Sequence, residues 1–341
     1  MNVLIYTGYQ KEAYNSNTLK EKGLGGTEQC CIYLAKYLKN FGWNIIIGGE
    51  VIEDTIDSIQ WMRLETIHKK MYDKFDVIIG ASYIHFLEEF RDYNCQKIFW
   101  AHNTDYFPWW QGKEIKNHLS LLTDKSLNKT VCLTNWHKKQ WSTKYNIPIK
   151  NIEVIGNGVE VKDFKQKIKK QPGKIIWSSA PERGLTELLD NWHKIKSIIP
   201  HAELHIFTPS YSIESYKQIK LMMEGVYFRG NVTPDKLHQE MLSSEYWFYL
   251  TDYRETYCIT AIEMQLAKVF PIVTDVAALK ENVINGIVLP NNENKWQHAL
   301  NCLYAMDSQL KNKIININSK LAKEKTWLIK SLDWKNLIKK L

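Results

Sequence analysis

The sequence predicts an α/β protein built from two parallel-sheet domains. Three observations carry that expectation. Short apolar runs alternate with longer amphipathic segments from the first residues onward, the pattern of β-α-β units. The alternation breaks once, in a charged stretch ending in Pro172 and Gly173, and then restarts. The 341 residues, 44% of them hydrophobic, exceed one ordinary core and supply apolar material for two.

Val3–Thr7 reads as the first strand, Gly23–Thr27 as a turn and Glu28–Phe41 as a helix whose Ile32, Leu34, Ala35 and Leu38 form an apolar stripe. Asn44–Gly48, Val77–Gly80, Lys97–Ala101 and Lys129–Leu133 follow as strands. Val161–Gly173, rich in lysine and closed by two structure breakers, marks the boundary. The expected first domain is therefore 1–165, completed by a terminal helix over 320–341, and the second is 172–319. In the second, strands are expected at Lys174–Ser178, Ala202–Thr208, Val226–Phe228, Tyr246–Leu250 and Phe270–Val273. Helices are expected between them at Leu185–Ile198, Ile213–Met223, Pro234–Ser243 and Ile259–Ala267. Two such halves facing each other would form a cleft at the carboxyl ends of their strands, where open α/β sheets bind ligands. From Asn294 the pattern is helical, ending in Thr326–Leu341 with Trp327, Leu328, Leu332, Trp334, Leu337 and Ile338 as its apolar face.

Composition narrows the function. The six cysteines form no CxxC pair and have no histidine at zinc-finger spacing, which speaks against a structural zinc or a disulfide framework and for a reducing compartment. The N-terminus reads as a strand rather than a signal peptide, and no uncharged apolar run is long enough to span a membrane. The expectation is a cytoplasmic protein, with peripheral contact at a membrane surface left open. The net charge of +8 gathers in Lys162–Lys174 and in the tail from Lys311 to Lys340. That pattern reads as a solvated linker and a solvated helix face, not as a nucleic-acid stripe interleaved with aromatics.

Four segments at expected strand ends carry groups suited to phosphates and hydroxyls. Arg254 to Glu263 leaves a strand and opens a helix, with Glu255 in the entry loop and Glu263 about two turns inside. The N–H groups of the helix start, around Cys258, Ile259 and Thr260, suit an anion such as a diphosphate, and the two carboxylates suit sugar hydroxyls. On spacing alone, two solvent-facing glutamates on a surface helix are the more ordinary reading. Ser178-Ser179-Ala180-Pro181-Glu182-Arg183 likewise runs from strand to helix and presents a guanidinium that can clamp a phosphate or form a surface ion pair. Gly25 and Gly26, at the first strand-to-helix turn, would let a ligand approach bare backbone, although the full GxGxxG spacing of a dinucleotide fold is missing. Trp100-Ala101-His102-Asn103 ends a strand, where His102 can hydrogen-bond a sugar hydroxyl, stabilise charge near a reacting carbon or close a structural bond.

With these segments in order along nearly the whole chain, the sequence resembles the retaining nucleotide-sugar glycosyltransferases of the GT-B fold, family 4. Gly25-Gly26-Thr27-Glu28 resembles the first-loop glycine motif, and Trp100 to Asn103 the strand-end histidine segment. Ile155-Gly156-Asn157-Gly158-Val159-Glu160 resembles the segment near the interdomain crossing, and Ala180 to Leu185 the Pro-Glu-Lys-Gly helix start. Glu255 through Glu263 gives the E-x7-E signature, and Trp327–Leu337 resembles the terminal helix that returns to the first domain. The resemblance implies that Glu255 binds donor-sugar hydroxyls and Glu263 the ribose. Ser179, Tyr257, Cys258, Ile259 and Thr260 would line the donor phosphates, Arg183 would neutralise the leaving diphosphate, and His102 and the Gly25-Gly26 loop would lie near the donor sugar. It also implies that the leaving phosphate takes the acceptor proton on the same face, with no side-chain base. Arg183 stands at the family's lysine position, Ser178 or Ser179 where an arginine is usual, Cys258 at a frequent glycine and Lys268 at a glycine after the signature helix. Arg229 and Arg254 stay open as the second phosphate cation.

The expected activity is transfer of a hexose from a UDP- or GDP-linked sugar to a hydroxyl of a glycan, glycolipid or protein-linked acceptor, with no metal or other cofactor, since no Asp-x-Asp motif is present. Trp109 and Trp110 are candidates for stacking on an acceptor ring, or for local packing. A nucleotide-sugar epimerase and a non-catalytic nucleotide- or glycan-binding relative remain the alternatives. The oligomeric state is left open.

Overall fold

The computed structural model describes residues 1–10, 12–70, 74–106, 109–110, 113–114, 118–208 and 223–341, with backbone alone for 70, 109–110, 113–114 and 118–119. The chain divides into two compact units, Met1–Gly158 with Trp327–Leu341, and Val159–Thr326.

The first unit is built on β1 (Asn2–Gly8), β2 (Asn44–Gly49), β3 (Asp54–Ile56), β4 (Ile59–Met62), β5 (Val77–Ala81), β6 (Gln96–Trp100), β9 (Lys129–Cys132) and β10 (Ile152–Val154). A separate two-stranded ribbon pairs β7 (Trp109–Trp110) with β8 (Lys113–Glu114). The main sheet runs β10-β9-β6-β5-β1-β2-β4-β3 and is parallel except for the β3–β4 hairpin. Val3 to Tyr6 and Val77 to Ala81 are buried throughout, as strands covered on both faces must be. The helix Gly26–Lys39 covers one face with Cys30, Cys31, Ile32, Leu34, Ala35 and Leu38.

The terminal helix Trp327–Lys340 belongs to this unit. Its Trp327 stacks on Tyr33 with ring centres 5.9 Å apart, and Trp334 meets Trp100 edge-on at 5.1 Å. The buried stripe is Trp327, Ser331, Trp334 and Ile338 with Leu337 beside it, so Leu328 and Leu332 face outward, contrary to the apolar face expected from composition. A residue one position from the centre of such a stripe is rotated about 100° away from it.

The second unit holds β11 (Lys174–Trp177), β12 (Glu203–Ile206), β13 (Val226–Phe228), β14 (Tyr246–Tyr249), β15 (Phe270–Thr274) and β16 (Ile287–Leu289) in an all-parallel sheet ordered β13-β12-β11-β14-β15-β16. Winding outward from the middle in this way reverses direction between β11 and β14, and the loops leaving those two strands diverge to open a crevice. The helix expected over Leu185–Ile198 is two helices, Leu185–Asp190 and Trp192–Ile198, meeting at Asn191 with φ −96° and ψ 5°. The helix expected over Ile213–Met223 falls outside the described residues, apart from Met223 itself.

The lysine-rich segment Val161–Gly173 is part of the second unit and not a linker, although its Lys162, Lys165, Lys167 and Lys169 are exposed as expected. Phe164 and Ile168 pack on its core, Lys170 donates to the carbonyls of Ser244 and, at 2.7 Å, Ala267, and Lys174 is buried against Glu240 at 2.6 Å. Lys170 thus supplies a donor to inward-facing carbonyls, and Lys174 shares the Glu240 carboxylate with Lys236. The chain passes between units at Gly158 and at Trp327. A Cβ on Gly158 would lie 2.4 Å from the Trp327 backbone nitrogen, and Val159 forms a parallel bridge with Thr326. Only glycine allows the two passing strands this approach.

Candidate functional site

Arg183 and Glu255 come from the two loops that diverge at the β11–β14 reversal, and the fold joins them. Arg183 Nη1 donates to Glu255 Oε1 at 2.7 Å, and the buried Tyr249 hydroxyl donates to the same oxygen at 2.6 Å. The guanidinium also lies over the Tyr253 ring, 4.3 Å from its centre. Burial works against the charge of Arg183, yet Glu255 and the two tyrosines raise its pKa, so it stays cationic. Glu255 is 7% exposed through its side chain and Arg183 32%, which puts the carboxylate at the floor and the guanidinium at the opening. The Trp177 indole donates to the Ser179 carbonyl at 2.7 Å and fixes the start of the loop that carries Arg183.

The loop after β14 turns into the helix Ile259–Leu266 through Cys258, whose φ of 62° is left-handed. A side chain in that region is strained, which accounts for glycine being frequent here in the family the sequence resembles. Burial, and then the charge of Glu255, push the Cys258 thiol well above its ordinary pKa, so it is not a nucleophile. Among the described residues no side-chain hydrogen bond caps the helix, and the Ala261 N–H turns back to the Cys258 carbonyl at 3.0 Å. The loop itself is tied down at several points. Thr274 Oγ1 donates to the Thr251 carbonyl at 2.7 Å, the Ala278 N–H to the Glu255 carbonyl at 3.1 Å, and Lys295 to Asp252 at 2.6 Å.

Glu263 does not join the Arg183–Glu255 pair. It faces His238 on the helix Pro234–Ser243, Oε1 to Nε2 3.7 Å, and the same ring packs on Phe164 and comes within 3.9 Å of Asp163. Burial opposes protonation of His238, but Glu263 and Asp163 outweigh it and raise its pKa. Arg229 lies over the Tyr227 ring and donates to His205, so its guanidinium is committed to the edge strand β13.

Solved structures share this architecture. No protein-family model matches the sequence, and neither does any curated protein. Sucrose-phosphate synthase from Thermosynechococcus elongatus superposes with a TM-score of 0.77 over 99% of this chain and 98% of its own, at 13% identity. Anabaena Alr3699/HepE, in complex with UDP and glucose, gives 0.73 with 100% of each chain covered, at 12% identity. The chain has the GT-B fold. A glycosyltransferase from Rickettsia africae ESF-5 shares it with a TM-score of 0.72 over 99% of this chain and 98% of its own, at 16% identity.

In the first unit of this GT-B chain the space beside Gly25 is taken by Glu28, while Gly26 is exposed. A Cβ on Gly25 would lie 2.2 Å from Glu28 Oε2, because that carboxylate folds back over the start of its own helix. Gly25 makes room for Glu28, so of the expected bare-backbone pair the Gly25 position is covered by a side chain of the same turn. Burial raises the pKa of Glu28, opposed by its own N–H and by Gln10.

His102 lies under Trp100, ring centres 4.3 Å apart, and is buried. Burial, aided by His137, lowers its pKa to about 3, so the ring is neutral and does not act as a cation near a reacting carbon. Its segment is held by His137, which no motif singled out. His137 Nδ1 accepts from the Leu133 N–H at 3.2 Å, while Nε2 donates to the Asn103 carbonyl at 2.8 Å, and Trp141 donates to the same carbonyl at 3.0 Å. The signal available was a histidine at the third position of a Thr-capped helix, too common to stand out. The side chains of Trp109 and Trp110 lie outside the described residues. Among the described residues no helix is long and apolar enough to cross a membrane.

Proposed function

We propose that the chain is a retaining glycosyltransferase that takes a hexose from a UDP- or GDP-linked donor and needs no metal. The observation that carries this reading is the Arg183–Glu255 pair at the β11–β14 reversal, beside the uncapped start of the helix Ile259–Leu266. A nucleoside diphosphate needs cationic and N–H donors for its phosphates, and a hexose needs acceptors for its hydroxyls. The site offers both within one crevice. The likeness to a fold seen with UDP and glucose in Anabaena Alr3699/HepE supports the same assignment.

In this reading the diphosphate rests on the helix start at Cys258, Ile259 and Thr260, and Arg183 offsets the charge that grows on it as the anomeric C–O bond breaks. Glu255 takes both internal hydrogen bonds on Oε1, which leaves Oε2 to accept from a donor hydroxyl. Glu263 accepts from the ribose. The departing phosphate oxygen takes the acceptor proton as the new C–O bond forms on the same face, so configuration is kept and no side-chain base is required. His102 would meet the sugar as a neutral hydrogen-bonding ring. The acceptor is a glycan or glycolipid hydroxyl, with Trp109 and Trp110 as its stacking platform and peripheral membrane contact as its route to a lipid-linked substrate.

A thermal-shift screen against UDP and GDP sugars identifies the donor, because a ligand bound only by the native state raises apparent stability. With that donor and an acceptor panel, Glu255→Ala and Arg183→Ala are expected to lower transfer by at least about 100-fold while the circular dichroism spectrum is kept. Wild-type rates in both variants would refute the assignment. Donor alone yielding an isomerised sugar would instead identify an epimerase, and binding with no released diphosphate across the panel a non-catalytic protein.

A further inference from the structure

Asn282 ends the short helix Leu279–Asn282 and is 5% exposed. Its Nδ2 donates to the carbonyl of Tyr257, its Oδ1 accepts from Lys325 Nζ at 2.7 Å, and its own carbonyl accepts from Gln265 Nε2 at 2.9 Å. Gln265 lies on the helix Ile259–Leu266 and also donates to the Ala261 carbonyl, at 2.8 Å. A single buried amide thus ties together the residue before the phosphate-facing turn, the first turns of the helix behind it, and the segment that leaves the unit. That segment is fixed in turn, since the Val159 N–H donates to the Lys325 carbonyl at 3.0 Å beside the Val159–Thr326 bridge.

The carbonyl of Tyr257 and the N–H of Cys258 belong to one planar trans peptide, in which the two groups point in opposite directions. Gripping the carbonyl from one side therefore sets the direction of the N–H on the other. We infer that Asn282 is a positioning residue for the donor diphosphate, aiming the Cys258 N–H at the phosphate from behind and taking its own orientation from Lys325. The inference rests on the reading of that helix start as the diphosphate site. Under it, the chain crossing between units and the phosphate site are joined by one hydrogen-bonded path, Lys325 to Asn282 to Tyr257.

The test is calorimetric titration of the full chain with UDP and GDP, beside ligand-observed NMR of uridine and guanosine. Asn282→Ala is expected to weaken the preferred diphosphate about tenfold, the equivalent of one lost hydrogen bond, with nucleoside binding unchanged. Lys325→Gln, which removes the charge behind the amide and leaves the Tyr257 bond in place, should weaken the diphosphate by a smaller factor, again without touching the nucleoside. A purely structural role would lower nucleoside and diphosphate affinity together, and either that parallel loss or unchanged diphosphate affinity in Asn282→Ala overturns the inference. Should Asn282→Ala lose its cooperative melting transition, Lys325→Gln decides by the same two criteria. If the wild-type chain binds neither UDP nor GDP, the reading of the site itself fails, and that outcome is distinct from a wild type that binds and variants that bind equally well.

Discussion

Protonating His137 would turn its Nδ1 from an acceptor of the Leu133 N–H into a second donor facing that N–H, while Nε2 is already committed to the Asn103 carbonyl. Burial, then, is not the whole cause of its neutrality, although it is the largest: it lowers the His137 pKa to about 4, and that of His102 to about 3. In the unfolded chain both rings titrate near an ordinary value of about 6.5. Between that value and about 4 the unfolded state therefore binds protons that the folded state refuses, so stability falls as the pH is lowered through this window. Each ring contributes a slope of about 1.4 kcal/mol per pH unit. Urea unfolding of the wild type between pH 6.5 and pH 4.5 should show that dependence, and His102→Gln and His137→Gln should each remove about one such share of it. A slope identical in all three proteins would mean that the rings are charged in the folded chain. Motif spacing was enough to single out His102, Arg183 and Glu255, because each lies in a loop that leaves a strand. Tyr249, His137, His238 and Asn282 come from a strand end, helix faces and a helix end with no characteristic spacing, so only the fold reveals them.

At the scale of elements, the helix Ile259–Leu266 shows how far local chemistry can be read. Its end is a left-handed turn in which the Lys268 N–H donates to Gln265 O at 3.1 Å and the Val269 N–H to Met264 O at 2.9 Å, with Lys268 at φ 57°. Such a turn favours glycine, which has no Cβ to strain. Lysine at this position leaves the turn geometry intact and costs stability instead. Lys268→Gly is expected to stabilise the chain by about 1 kcal/mol, less the exposed Lys268 to Asn316 hydrogen bond it gives up, and a chemical denaturation series with an unchanged slope would read it directly. A destabilised variant would mean that the lysine contributes more through its side chain than its backbone costs. The long strands and helices were legible because their apolar periods persist over many residues. The β3–β4 hairpin was not, since its turn places Asp57 and Ser58 at φ 51° and 60°, a conformation normally announced by Asn-Gly or Asp-Gly. The three-residue strands β10 and β16 are too short to show a period at all.

Across the whole molecule, the break in the β-α alternation signalled two units, but the charge of Val161–Gly173 pointed to a linker where the chain in fact builds core. Lysines near a boundary look alike in sequence whether their amines meet water or buried carbonyls, and Lys170 and Lys174 meet the latter. The true crossing is marked by Gly158, whose requirement becomes visible only once Trp327 lies against it. From there the last helix closes the first unit, and Trp334, fully buried against Trp100, is one of its two tryptophan anchors. Trp334→Ala should cost the first unit about 3–5 kcal/mol and lower its melting transition by about 10 °C. The second unit keeps its own core and its own sheet, with none of its strands contributed by the terminal helix. Calorimetry should therefore show one transition moved and one unmoved, and affinity for UDP or GDP, which the proposed site places wholly on Val159–Thr326, should change less than about twofold. Under the role proposed for His102, transfer should fall sharply, because His102 lies two residues past the strand that carries Trp100. A single transition displaced as a whole, or nucleotide affinity lost in step with the first unit, would show that the two units are stable only together and that the donor site depends on both.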